Sequence, residues 1–110
     1  MTFKDIQKQV HDWIKLHKIE YFPPMEIMGN LQEEAGELAG EVNRKFGSKP
    51  RKDGETPGDL GEEIADVIFT MVCLANSQGI DLEESWQNMI QNRLYGRDKD
   101  RYERKEEYPK

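Results

Sequence analysis

Two acidic blocks dominate the chemistry this chain can offer: Glu33-Glu34-Ala35-Gly36-Glu37 and Glu63-Ile64-Ala65-Asp66, separated by 25 residues. Each contains carboxylates three apart, and residues at that spacing share one face of a helix. Two such helices laid together would aim four carboxylates at one point. Like charges crowded in that way repel and protonate unless a cation holds them. Hard oxygen ligands suit Mg²⁺ or Mn²⁺. The first hypothesis is therefore a metal-assisted reaction on a phosphate. No Glu-x-x-His pair is present, so the usual helical di-iron pattern is missing. No spaced aspartate loop of the calcium-binding helix-loop-helix type occurs either. A cluster like Glu33, Glu34 and Glu37 is by itself common on a solvated helix face. The second block argues for more, because between Ile64 and Ala75 only Asp66 and Thr70 are polar.

The elements that must position these residues read as four helices with no convincing strand. The first is predicted over residues 3–19, with Thr2 and Asp5 as a capping pair and Phe3, Ile6, Val10, Trp13 or Ile14 and the Leu16 region at helical spacing. Tyr21-Phe22-Pro23-Pro24 ends it, since proline cannot continue a helix interior. The second is predicted over 25–46, with Ile27, Leu31, Leu38 and Val42 as its apolar stripe and Glu34, Glu37 and Glu41 along the edge. Residues 47–58 form a linker punctuated by Gly47, Pro50, Gly54, Pro57 and Gly58, with Lys49, Arg51 and Lys52 between them. Asp59 followed by Glu62 caps the third helix, which ends near Gly79, and Asp81 with Glu84 caps a fourth over 82–95. The third helix is apolar almost all round, whereas an ordinary surface helix has a polar back. Its exceptions, Glu63, Asp66 and Thr70, make one polar stripe that needs a partner. Three companion helices cover only part of it, so a second subunit is the simplest cover.

Composition sets the outer bounds. A chain of 110 residues is one domain. With 35% charged residues and a mean hydropathy of -0.92, its own core is modest, and chains of this size often rely on oligomerisation. Cys73 stands alone, which excludes an internal disulfide and a cysteine-built zinc cluster. The N-terminus has no signal-peptide pattern and no apolar run reaches membrane-spanning length, so a cytoplasmic setting is expected. The net charge of -6 argues against stable nucleic-acid binding. From Arg97 onward, 11 of the 14 residues are charged. Residues 1–97 are read as the domain and 98–110 as a charged tail.

A third block, Asn92-Arg93-Leu94-Tyr95-Gly96-Arg97, follows on the fourth predicted helix. Arg93 and Arg97 are four apart and share a face with Trp86, Met89 and Ile90. An arginine there can bury its stem and project its guanidinium toward an anion; a structural salt bridge is the alternative. The order Glu-Glu-x-x-Glu, gap, Glu-x-x-Asp, then this block resembles the MazG-type nucleoside triphosphate pyrophosphohydrolases, over nearly the whole chain. The resemblance implies an all-α, four-helix MazG-like fold, with helices assembled into an intersubunit bundle in a homodimer or homotetramer. It implies hydrolysis of a nucleoside triphosphate to the monophosphate and pyrophosphate. Glu34, Glu37, Glu63 and Asp66 would hold Mg²⁺, with Mn²⁺ as a substitute. Glu33 or Glu37 would orient the attacking water or take its proton. Asn92, Arg93 and Arg97 would bind the phosphates, and Lys49, Arg51 and Lys52 could approach them.

Base selection is less specified. Trp13, Tyr21 and Phe22 lie near the first helix and its exit turn, where an aromatic could stack on a base; Trp13 also suits a plain core position. Asn30, one turn before Glu34, could hydrogen-bond a sugar or base. His11 and His17 read as surface or interface residues. Two other functions compete: a pyrophosphohydrolase acting on phosphoribosyl-ATP, and a non-catalytic helical module whose acidic stripe docks a basic partner.

Overall fold

The caps legible in the sequence start three of the helices. A computed structural model describes residues 1–47 and 58–107. Among these the chain is all α, with four α-helices and no strand. Helix α1, Phe3–Lys15, starts on a capping box. Thr2 accepts from the Asp5 amide at 3.1 Å, and Asp5 accepts from the Thr2 amide at 2.8 Å. Helix α2, Pro24–Phe46, has proline in its first turn, where the missing N–H is no loss. Helix α3, Leu60–Ser77, starts with Asp59 accepting from the Glu62 amide at 3.3 Å. Helix α4, Leu82–Asn88, starts with Asp81 accepting from the Glu84 amide at 3.1 Å. Gly79, at φ 65°, takes the left-handed turn beyond the end of α3 that a side chain would resist. Most of the linker, with Lys49, Arg51 and Lys52, lies outside the described residues.

Two boundaries differ from the sequence expectation. Helix α1 stops at Lys15, not near residue 19. The Leu16 amide is shared between the Asp12 and Trp13 carbonyls at 3.2 Å each, and His17 Nδ1 donates to the Trp13 carbonyl at 2.7 Å. The two bonds to the Trp13 carbonyl occupy the acceptor that the His17 amide of a continuing helix would use. The fourth helix changes pitch at Met89 and runs to Arg97 as a π-helix. Its wider turn closes with the Asp98 amide on the Arg93 carbonyl at 2.7 Å. Gly96 permits this, because a Cβ there would stand 3.0 Å from the Gln91 carbonyl oxygen. π-Helical turns inside helices occur often at functional sites.

Packing centres on α3, which lies against both α1 and α2. Val10, Ile14 and Val72 form the buried cluster, flanked by Ile6, Tyr21, Cys73 and Leu82. A polar network pins the α3–α4 turn to α1. Gln7 Nε2 donates to Asn76 Oδ1 at 2.9 Å and to the Ile80 carbonyl at 2.8 Å, and Gln7 Oε1 accepts from the Leu82 amide at 3.0 Å. Asn76 Nδ2 donates to the Tyr21 hydroxyl at 3.1 Å, which also bonds His11 Nδ1 at 2.8 Å. Tyr21 and His11 thus have structural roles. One side of α3 is bare in the single chain: Ile64, Ile68 and Met71 are 43–45% exposed. The radius of gyration is 18.1 Å, against about 13 Å for a compact chain of this length.

Candidate metal and phosphate site

The long contact between α2 and α3 brings the two acidic blocks together. One carboxylate oxygen each from Glu34, Glu37 and Glu63 lie within 4.8 Å of one another. Glu34 and Glu63 are half-buried; Glu34 Oε2 and Glu63 Oε2 are closed off from water and accept no hydrogen bond among the described residues. A buried carboxylate oxygen without a donor is costly. Desolvation pushes the Glu34 carboxyl above the ordinary 4.5, and the charges of Glu37, Asp66, Glu63 and Glu33 push the same way. Glu63 is raised by desolvation first, then by Glu37, Asp66, Glu41 and Glu62. A cation would relieve both the repulsion and the unmet acceptors. The donor set, all carboxylate oxygen, fits Mg²⁺ or Mn²⁺.

Asp66 lies close enough to act on Glu34 and Glu63 through its charge, but it is outside the tight group of three. In the single chain it is exposed. Thr70, the last member of the polar stripe, is satisfied within its own helix by donating to the Asp66 carbonyl at 3.0 Å. Glu33 is exposed beside the cluster and reaches Glu34 through its charge.

Sequence reading undervalued Glu41 and Arg44. Glu41, one turn beyond Glu37, is the most buried ionisable residue described, 2% exposed, and Arg44 Nη2 pairs with its Oε2 at 3.1 Å. A Cβ on Gly58 would come within 2.4 Å of the same Oε2, so the chain entering α3 passes closely over this carboxylate and a side chain there would displace it. The signal was the continued three-and-four spacing from Glu34 through Glu37 to Glu41 and Arg44. It was ambiguous because the same spacing suits a solvated edge.

Asn92, Arg93 and Arg97 lie on the π-helix, whose main contact is with α4 and not with α2 or α3. The three residues are exposed. Arg97 forks onto Asp98 at 3.2 and 3.3 Å, and that carboxylate holds the guanidinium pKa up. One protomer therefore does not bring this block to the carboxylates. Trp13 and Asn30, by contrast, come together. Both line a cavity of about 260 Å³ that also contains Phe22, Phe69, Thr70 and Cys73. Trp13 is half exposed, edge-on to Phe69 at 6.0 Å between ring centres, so it is a cavity wall and not a sealed core residue. Asn30 connects the cavity to the cluster, since Glu34 follows it by one turn on α2.

Comparison with known proteins shows the family and the fold. Residues 22–102 match the MazG nucleotide pyrophosphohydrolase domain. The uncharacterized protein YpjD of Bacillus subtilis strain 168 is 49% identical over 106 residues, covering 96% of this chain and 95% of its own length. YvdC of the same organism is 31% identical over 90 residues, 76% of this chain and 85% of its own. Among solved structures, that of Bacillus subtilis YpjD superposes with a TM-score of 0.75 at 46% identity, covering 84% of this chain and 95% of the other. The Bacillus-conserved MazG protein, a nucleotide pyrophosphohydrolase, superposes with a TM-score of 0.72 at 43% identity, covering 91% and 96%.

Proposed function

The chain belongs to the MazG nucleotide pyrophosphohydrolase family, and from that premise we propose that it hydrolyses a nucleoside triphosphate to the monophosphate and pyrophosphate with a divalent cation. The single observation that supports this most is the three converging carboxylates of Glu34, Glu37 and Glu63, two with a buried oxygen that bonds nothing among the described residues. Glu34, Glu37, Glu63 and the adjacent Asp66 would hold Mg²⁺ or Mn²⁺. When bound, such an ion supplies charge against the triphosphate and makes a water more acidic. Glu33 or Glu37, both exposed, can accept the proton of the attacking water. The cavity bounded by Trp13 and Asn30 would take the base, with aromatic faces for stacking and one amide for hydrogen bonding.

A second subunit completes this reading. The bare side of α3 and the extended single chain both call for cover. Leaving several such side chains wet costs several kcal/mol at about 25 cal/mol per Å². A homodimer or homotetramer would cover them and offers a route by which Asn92, Arg93 and Arg97 of one subunit reach phosphates held by another. Residues 1–97 would be the catalytic domain and 98–110 a solvated tail. Among the described residues no helix is long and apolar enough to cross a membrane, and a cytoplasmic nucleotide pool is the setting we assign. The test is a panel of canonical and modified nucleoside triphosphates, with phosphoribosyl-ATP included, incubated with Mg²⁺ or Mn²⁺. Pyrophosphate and the monophosphate should appear together; turnover unaffected by a chelator would overturn the metal assignment.

A further inference from the structure

Asn30, Glu34, Glu37, Glu41 and Arg44 follow one another along α2 at alternating steps of four and three. Residues so spaced form one seam of a helix. From its N-terminal end the seam passes from the cavity, at Asn30, to the carboxylates Glu34 and Glu37 and then to the Glu41–Arg44 pair. The Arg44 guanidinium does not project past the helix end. It folds back to within 3.1 Å of Glu41 Oε2, and its Nη1 would lie 3.2 Å from a Cβ on Gly40. It therefore stands level with residues 40 and 41, about one turn of 5.4 Å beyond Glu37.

Arg44 is 27% exposed, and its other guanidinium donors bond nothing among the described residues. Glu41, buried beneath it, fixes its position. A guanidinium held this way is a ready phosphate ligand, with a planar fork and little freedom left to lose. The other arginines proposed for phosphate stand on the π-helix, away from this seam.

We infer that Arg44 binds the pyrophosphate end of the triphosphate, which fixes the direction of the substrate along α2. The base lies at the Asn30 end, the α-phosphorus at the carboxylates, and the β- and γ-phosphates toward Arg44. This rests on the reading above that the carboxylate cluster is the reaction site. A water oxygen bonds to the α-phosphorus while the bond from that phosphorus to the oxygen bridging it to the β-phosphorus breaks. The bond's electron pair leaves on the pyrophosphate, and the water's proton passes to a carboxylate and on to solvent. Charge grows on the leaving group, where a fixed guanidinium helps most.

Inorganic pyrophosphate, titrated calorimetrically in the presence of Mn²⁺, tests this without turnover. Mn²⁺ titrated alone measures the carboxylates. Arg44→Gln should weaken pyrophosphate binding by about tenfold or more, the loss of a charged hydrogen bond, and leave Mn²⁺ affinity within about twofold. Arg44→Lys should recover part of the loss. The double variant Glu41→Gln with Arg44→Gln removes both charges of the pair together and should show the same selective loss. Unchanged pyrophosphate affinity in these variants, an equal loss of Mn²⁺ and pyrophosphate, or no pyrophosphate binding by the native protein would overturn the inference. A native protein that binds pyrophosphate through Arg44 but cleaves no nucleotide would instead refute the proposed reaction.

Discussion

Replacing Glu63 by Gln should raise the melting temperature of the metal-free protein and abolish most of its response to Mg²⁺. In the native chain, one oxygen each of Glu63, Glu34 and Glu37 lie within 4.8 Å, and Glu63 Oε2 is buried without a partner among the described residues. Without a cation this arrangement opposes folding, since the unfolded chain would separate and hydrate the three charges. Glutamine keeps the shape, removes one charge and removes one ligand. The size of the lost response follows from mass action. A cation at a hundred times its Kd stabilises a fold by about 2.7 kcal/mol. For a domain of about this size each kcal/mol shifts Tm by roughly 4–8 °C. Saturating Mg²⁺ should thus raise the native Tm by roughly 10–20 °C and that of Glu63→Gln by only about a quarter as much. Circular dichroism melts in chelator and in Mg²⁺, for both proteins, supply the four numbers. An equal Mg²⁺ shift in both, or a metal-free variant that melts below the native chain, would refute the reasoning.

Acidity should act on the metal-free protein in the same sense. Glu34 and Glu63 are raised above 4.5 in the fold, so the folded state binds more protons than the unfolded one just above that pH. Their contribution to stability is fully present below 4.5 and is lost as pH rises through the folded values. Melts in chelator should therefore rise as pH falls from 7 toward 4.5, and the gap between chelator and Mg²⁺ should close; a widening gap would contradict this. Asp5 and Asp98 are lowered, so their contribution is lost only below 3.8 and leaves that window clear. Ile68→Asp, on the bare side of α3, should dissociate the oligomer with little harm to the protomer fold; light scattering that reports a 12.9 kDa native particle would remove the premise. Val72, by contrast, is 2% exposed against Val10 and Ile14, and Val72→Ala should cost about 1–3 kcal/mol of protomer stability in a denaturant melt. Trp13→Ala should raise KM several-fold with a smaller change in kcat, and an unchanged KM would take the base out of that cavity.

The caps were legible because their chemistry is local. Thr2 with Asp5, Asp59 with Glu62 and Asp81 with Glu84 all form the bonds their spacing predicts. The pairing of the acidic blocks was legible because two helices joined by a glycine- and proline-rich linker pack side by side. The bonds that ended α1 were not: they depend on where the His17 ring settles. The π-helical pitch depends on the approach of the Gln91 carbonyl to Gly96, a contact between residues five apart that helical periodicity does not signal. Glu41 looked like another edge carboxylate, and only the passage of Gly58 over it and the return of Arg44 show it to be buried. Asp66 looked buried from its apolar neighbours, but those neighbours face outward in the single chain.

The central claim is attack of water at the α-phosphorus of a triphosphate lying along α2. Turnover in water enriched in oxygen-18, with Mg²⁺ and the nucleotide the panel shows to be preferred, tests it most directly. Mass analysis of the products should find the label in the nucleoside monophosphate and none in pyrophosphate. Label in the pyrophosphate, or release of nucleoside diphosphate with single phosphate, would contradict the account.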